Sequence, residues 1–207
     1  MPLYLNKKLS EEIQFMVWEL TESFNELLDL VCPDEEDLEN LNKIGVEAKK
    51  KEYLAGKNAV MQMCKLSNVA FGGIIKDEHG KPFLKDSSLE ISLTHTTQFV
   101  GVVFSKTGPI GMDIEKPRPQ IFKVISRLCV SSELAWVNEN LERATILWSA
   151  KEALYKLYGK RKVDFKENLL LIQSSKGLVG RIKMPDYKAE HQILVEKLPN
   201  HLLVLAY

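Results

Sequence analysis

The stretch Leu89–Glu115, LEISLTHTTQFVGVVFSKTGPIGMDIE, decides the fold. Its residues alternate between apolar and polar or run in β-branched blocks, and short turn signals interrupt them, which is the pattern of successive strands. Downstream, Leu141–Tyr158 reads as a strong helix ended by Gly159. Shorter helices, from roughly Pro119 to Leu128 and near Ser132 to Asn138, lead into it. The segments NLLLIQ, GLVGRIKM, HQILVEKL and HLLVLAY then return to strands.

Upstream, EHGKPFL (Glu78–Leu84) is a turn signal, because Gly80 and Pro82 break regular structure. Gly45 to Leu66 reads as a long helix with Tyr53, Leu54, Ala59, Val60, Met63 and Cys64 along its apolar side, weakened by Gly56. PDEEDLENLN, opened by Pro33, suits a helix start. Residues 10 to 31 carry Ile13, Val17, Leu20, Phe24, Leu27 and Leu28 at helical spacing, so the pattern predicts a first helix with Ser10 as its N-cap. Helix followed by strands thus occurs twice, each time over roughly half the chain, which suggests two similar halves.

The chain has 207 residues and 45% hydrophobic content, enough for one domain or two small packed lobes. Lys+Arg and Asp+Glu both number 28, so no global charge draws it to nucleic acid or to an anionic membrane. Cys32, Cys64 and Cys129 are odd in number and far apart, which argues against a disulfide framework or a CxxC metal site. The opening MPLYLNKKLS lacks the apolar core of a signal peptide, and no run approaches the ~18 apolar residues of a membrane span. A cytoplasmic protein is expected.

Chemistry concentrates in two places. In IGMDIEK (Ile110–Lys116), Asp113 and Glu115 are two apart on a strand and face the same side about 6.6 Å apart, while Met112 and Ile114 face the core. Gly111 leaves room for something to approach the backbone. Side chains of different length on this spacing can converge on one cation, and oxygen-only ligands suit Mg²⁺. The bland alternative is a solvent-facing pair on an edge strand. In WSAKEALYK (Trp148–Lys156), Glu152 and Lys156 share a helix face, with Lys151 about 100° round from Glu152. A surface ion pair explains that spacing equally well. Trp148, Ala150, Ala153, Leu154 and Leu157 surround these charges with apolar mass, which favours a site.

Three further features are weaker. His95 sits between Thr94 and Thr96 in SLTHTT, where imidazole and hydroxyls are either structural or donors to a phosphate. The Gly80–Pro82 turn offers Lys81 and exposed backbone. Lys49-Lys50-Lys51 is a solvated helix face or a second phosphate contact.

Taken in order, GKPFL, SLTHT, IGMDIEK and WSAKEALYK resemble the 4′-phosphopantetheinyl transferases, specifically the longer two-lobed, surfactin-synthetase-activating type. The resemblance spans about residues 45 to 175, and the ordered pair GxDxE and WxxKExxxK is its most specific part. It implies an α+β fold of two similar lobes related by pseudo-twofold symmetry, each a small antiparallel sheet packed on a long helix. The expected lobes are 1–106 and 107–207, with the active site in the cleft between them. By position, Asp113, Glu115 and Glu152 would hold Mg²⁺ on the diphosphate of coenzyme A, and Lys156 would grip that diphosphate with Lys151 nearby. Thr94, His95, Thr96, Lys81 and Pro82 would contact the nucleotide's phosphates.

This sequence departs from the family pattern in places. It has T-H-T for the usual S-H-S, which keeps the hydroxyls. LAGK stands for the usual LAGR and places Lys57 where a bidentate arginine is typical, which bears on the 3′-phosphate. RLCVSSELAWV retains Glu133.

The implied reaction moves 4′-phosphopantetheine from coenzyme A to a serine of an apo acyl or peptidyl carrier protein in fatty-acid, polyketide or nonribosomal-peptide synthesis. Adenosine 3′,5′-bisphosphate leaves. Glu152, in preference to Glu115 acting through water, would take the serine proton. The protein would act as a monomer that imitates a dimer internally. Lys160-Arg161-Lys162 and the apolar Ile121–Leu128 segment are candidate contacts for an acidic carrier. Two rivals are a different Mg²⁺-dependent phosphoryl-transfer enzyme and a non-catalytic coenzyme A-binding protein. The absence of a P-loop or GxGxxG weighs against ordinary nucleoside-triphosphate users.

Overall fold

The computed structural model describes residues 3–175 and 177–207. Strands Leu3–Lys8 (β1) and Ile13–Glu19 (β2) precede three helices, Phe24–Val31 (α1), Glu35–Lys43 (α2) and Glu47–Leu66 (α3). Strands Ile74–Lys76 (β3), Pro82–Leu84 (β4), Glu90–His95 (β5) and Phe99–Ser105 (β6) follow. The second half runs Gly111–Glu115 (β7), Ile121–Leu128 (α4), Ser131–Val137 (α5), Leu141–Tyr158 (α6), Leu169–Ser174 (β8), Gly177–Lys183 (β9), Lys188–Leu198 (β10) and His201–Ala206 (β11). Among the described residues, no helix is long and apolar enough to cross a membrane.

The strands form two antiparallel sheets, ordered β1-β2-β6-β5-β4-β3 and β7-β11-β10-β9-β8. Apart from β1, both follow one path. A first strand is followed by three helices, and the last strand of the unit returns beside the first with the others stepping away in reverse order. The α+β reading from the sequence therefore holds, with sheet packed on helix in each half.

Three apolar clusters make four layers. Met16, Trp18, Ile91 and Val102 pack on Leu54, Ala59 and Met63 of α3. Val204, Ala206 and Ile182 pack on Leu147, Ala150 and Leu154 of α6. Between the sheets, Phe15 and Val17 of β2 and Phe99 and Val103 of β6 meet Met112 and Ile114 of β7 and Leu203 and Leu205 of β11. At ~25 cal/mol per Å² of apolar surface, this middle layer is what holds the halves together.

The predicted helix over residues 10 to 31 is corrected. Ser10 Oγ accepts from the amides of Glu12 and Ile13, closing a turn rather than starting a helix, and Ile13–Glu19 is a strand. The helix starts at Phe24, capped by Ser23 in a capping box with Glu26. β2 is buried on both faces, Met16 and Trp18 toward α3 and Phe15 and Val17 toward the other sheet. A strand covered on both sides loses its alternation, so apolar residues at helical spacing arise by chance.

Two glycines set the spacing around β7. A Cβ at Gly111 would lie 1.8 Å from the Ala153 carbonyl oxygen, so its absence lets α6 lie directly on the strand. A Cβ at Gly101 on β6 would lie 2.6 Å from Met112 Sδ, so that glycine admits the core side chains of β7.

Candidate active site

β7 is an edge strand, and unpaired amides on a buried edge need partners. Ser92 Oγ accepts from Met112 N at 3.0 Å, and Thr94 Oγ1 accepts from Ile114 N at 3.2 Å. Both hydroxyls come from one face of β5 at the strand period and match alternate amides of β7. The seam between the sheets is thereby pinned beside Asp113.

Asp113 is 6% exposed and lies beneath α6. Ser149 Oγ donates to its Oδ2 at 2.8 Å, while Lys156 Nζ and Thr94 Oγ1 donate to its Oδ1 at 2.8 and 3.3 Å. Lys156 also donates to the Met112 carbonyl at 2.9 Å. Ser149, Glu152 and Lys156 are spaced three and four apart, so one helix face carries all three to β7. Trp148 Nε1 donates to Glu115 Oε1 at 3.1 Å, and Arg118 stands 3.6 Å from Glu115 Oε2.

The carboxylates feel one another. Burial pushes the Glu152 carboxyl up to about 7, Asp113 and Glu115 add to the rise, and Lys156 opposes it. Burial and then Asp113 raise Glu115, against the Trp148 hydrogen bond, Arg118 and Lys156. Among the described residues, no three acidic, histidine or cysteine side chains already stand as a closed metal-ligand set. The donors nonetheless fit a hard dication: they are all oxygens, and two of them hold protons more tightly, through burial first and a neighbouring carboxylate second, a cost that such a cation offsets.

Two adjoining volumes open beside this cluster. The smaller, about 440 Å³, is lined by Thr94, His95, Thr96, Asp113, Glu115 and Lys156. The larger, about 1170 Å³, is lined by Tyr53, Lys57, Lys81, Pro82, His95 and Lys156 among others. His95, Lys156, Lys49 and Glu52 belong to both, so the volumes form one cleft of the size that takes a large cofactor. Glu152 is half-buried on α6 and lines neither.

The polar side chains expected to contact phosphate have present partners. His95 Nε2 lies 2.9 Å from Glu52 Oε2. Thr96 Oγ1 accepts from Phe99 N at 2.9 Å and shapes the β5–β6 turn. Lys81 Nζ pairs with Glu90 at 2.6 Å, its stem lying against Gly159. Lys49 pairs with Glu52 at 2.6 Å. Lys57 is held by Asp37, which also accepts from Tyr53 Oη at 2.8 Å. Burial tends to raise Asp37, yet the Lys57 and Tyr53 hydrogen bonds outweigh it and hold the carboxyl below its ordinary value.

Lys151 is not in the cleft, which corrects its expected place beside the diphosphate. It is fully buried on another face of α6, 3.0 Å from Glu133 Oε2, and donates to the carbonyls of Phe165, at 2.8 Å, and Leu169. Glu133 also accepts from Val130 N and Leu171 N. One residue along a helix is a large rotation, and here it turns the lysine from cleft to core. The Lys160–Lys162 run is partly engaged: Lys160 pairs with Asp186 at 2.5 Å, and Arg161 Nε donates to the His79 carbonyl at 3.4 Å. On α4, Ile121 and Ile125 face the core and leave Phe122 half-buried.

Ser92, Ser149, Asp37 and Glu52 escape sequence reading as site residues. Ser149 had a signal, since it lies one turn before Glu152 and two before Lys156; Ser92 had the strand period it shares with Thr94. Compared with curated proteins, the chain has no match. Residues 109–201, which carry β7, all three helices of the second half and the start of its last strand, match the family model of the 4′-phosphopantetheinyl transferase superfamily.

Proposed function

We propose that the protein transfers the 4′-phosphopantetheine group of coenzyme A to a serine of an apo acyl or peptidyl carrier protein and releases adenosine 3′,5′-bisphosphate. The observation that carries this reading is the grouping of Asp113, Glu115, Glu152 and Lys156 on β7 and α6, inside the segment that matches the superfamily. The chain divides into lobes 1–106 and 107–207 with the site in the cleft between them, acts as a monomer in the cytoplasm, and is of the longer two-lobed type.

Asp113, Glu115 and Glu152 would hold Mg²⁺, which supplies Lewis-acid neutralisation of the diphosphate when bound. The remaining work falls to the chain. The serine oxygen forms a bond to the β-phosphorus as the bond to the bridging oxygen breaks. Charge grows on the leaving phosphate, and the Lys156 ammonium, fixed by Asp113 and the Met112 carbonyl, is set to offset it. Of the carboxylates, Glu152 is the one to take the serine proton. Ser149 and Thr94 orient Asp113, and Trp148 orients Glu115. His95, Thr96, Lys81 and Pro82 bind the nucleotide side, and the pantetheine arm, carried across unchanged, needs little recognition.

The test is incubation with coenzyme A, Mg²⁺ and a panel of apo carriers from fatty-acid, polyketide and peptide synthesis, read by intact mass. Phosphopantetheine addition to at least one carrier, lost in Asp113→Ala, is expected. Hydrolysis of the nucleotide with no addition to any carrier would sink the proposal.

A further inference from the structure

The larger volume of the cleft is lined by six lysines, Lys43, Lys49, Lys57, Lys76, Lys81 and Lys156. If coenzyme A binds as proposed above, its phosphate-bearing nucleotide end belongs there, and the neutral pantetheine arm does not. The Lys57 pair differs from its neighbours in being buried on both sides. The lysine side chain is 13% exposed, and its partner Asp37 is 7% exposed. Lys49, by contrast, is 62% exposed in its pair with Glu52, and Lys81, at 11% as buried as Lys57, has a partner, Glu90, that is 27% exposed. A pair with one wet member exchanges for a ligand more readily than a pair buried on both sides.

Asp37 is also held from three sides. Lys57 Nζ and Tyr53 Oη donate to its carboxylate, and Asp34 N donates to Oδ2 at 3.1 Å. The Asp34 bond is half of the capping box that starts α2, since Asp37 N donates back to Asp34 Oδ1 at 2.9 Å. A phosphate seated on Lys57 would have to expel this carboxylate, break three hydrogen bonds and lose half of the capping box. With Asp37 in place it meets a pair of zero net charge, with Asp34 Oδ2 3.9 Å from the same ammonium and Glu36 on the same side of the cleft.

We infer that Asp37 is a specificity-determining residue: its carboxylate fills the anion position at Lys57, so the nucleotide end is accepted as readily without a 3′-phosphate as with one. The inference rests on the coenzyme A reading and adds to it a claim about which donors are used.

The test measures affinity and transfer kinetics for coenzyme A and 3′-dephospho-coenzyme A, with wild type and Asp37→Asn, whose amide oxygen can still accept from Asp34 N. Wild type should bind and use the two donors within about threefold of each other. Asp37→Asn frees the Lys57 charge and should favour coenzyme A by about tenfold, in KM rather than kcat. A wild-type preference for coenzyme A of about a hundredfold, or no change of ratio in Asp37→Asn, overturns the inference and leaves the transferase reading intact. If the variant does not fold, the wild-type ratio still decides. Binding of neither donor overturns both.

Discussion

The Ser149 hydroxyl on α6 donates at 2.8 Å to Asp113 Oδ2 on β7, while Lys156, two turns along the same helix, holds the other oxygen at 2.8 Å. A buried carboxylate is thus gripped from both ends by a single helix. That helix can lie so close only because residue 111 has no side chain. Removing the hydroxyl with Ser149→Ala leaves Oδ2 without this donor. Stability should fall by about 1 to 2 kcal/mol in urea unfolding, and turnover should drop by about tenfold as Asp113 loses its fixed orientation. Ser149→Thr, which keeps the hydroxyl, should recover part of both.

Lys156→Met removes the cation that partners Asp113 and the charge aimed at the leaving phosphate. Turnover should fall by about a hundredfold or more with a smaller change in KM, because the lost interaction strengthens as the bond breaks. Steady-state kinetics on a carrier substrate checks it.

Glu152 yields a pH-dependent stability. Its carboxyl sits at about 7 in the fold against an ordinary value of 4.5, so the folded state binds the proton more tightly than the unfolded state. Between those values stability falls as pH rises, and above both the full penalty applies. Glu152→Gln does not titrate. In chelator it should therefore be more stable than wild type at pH 8, by about 1 to 3 kcal/mol, while being inactive. The gap should close as pH drops below about 4.5. Paired thermal melts across pH read this directly; a variant less stable at pH 8 would contradict it.

The Lys151–Glu133 pair gives the opposite signature. Both side chains are buried, and removing one leaves an uncompensated charge. Lys151→Met should cost about 3 to 5 kcal/mol, and Lys151→Met/Glu133→Gln should cost less than the sum of the two single changes. Fraction-folded measurements should account for any activity lost, with the KM for coenzyme A in the folded fraction unchanged.

The legibility of this fold follows burial. β5, β6, β7 and the bounds of α6 could be read because β-branched runs with turn signals, and a helix with a left-handed glycine cap, carry local signatures. β2 could not, because burial on both faces erased its period. Asp113, Glu115, Glu152 and Lys156 were visible as spacings, since strand and helix periods fix which residues share a face. Lys151 was misplaced because sequence shows that it lies off that face but not what waits on the other side, which is Glu133 from another helix. Asp37 was invisible as a site residue for a related reason: its capping role is local, but its hold on Lys57 spans twenty positions of chain.

The central claim is that Asp113, Glu115 and Glu152 act together on one divalent cation. It is tested most directly by titrating Mn²⁺ into the protein with coenzyme A present, followed by electron paramagnetic resonance. Wild type should bind one ion, and Asp113→Asn, Glu115→Gln and Glu152→Gln should each weaken it by about tenfold or more. Undiminished affinity in any one of the three would contradict the shared site.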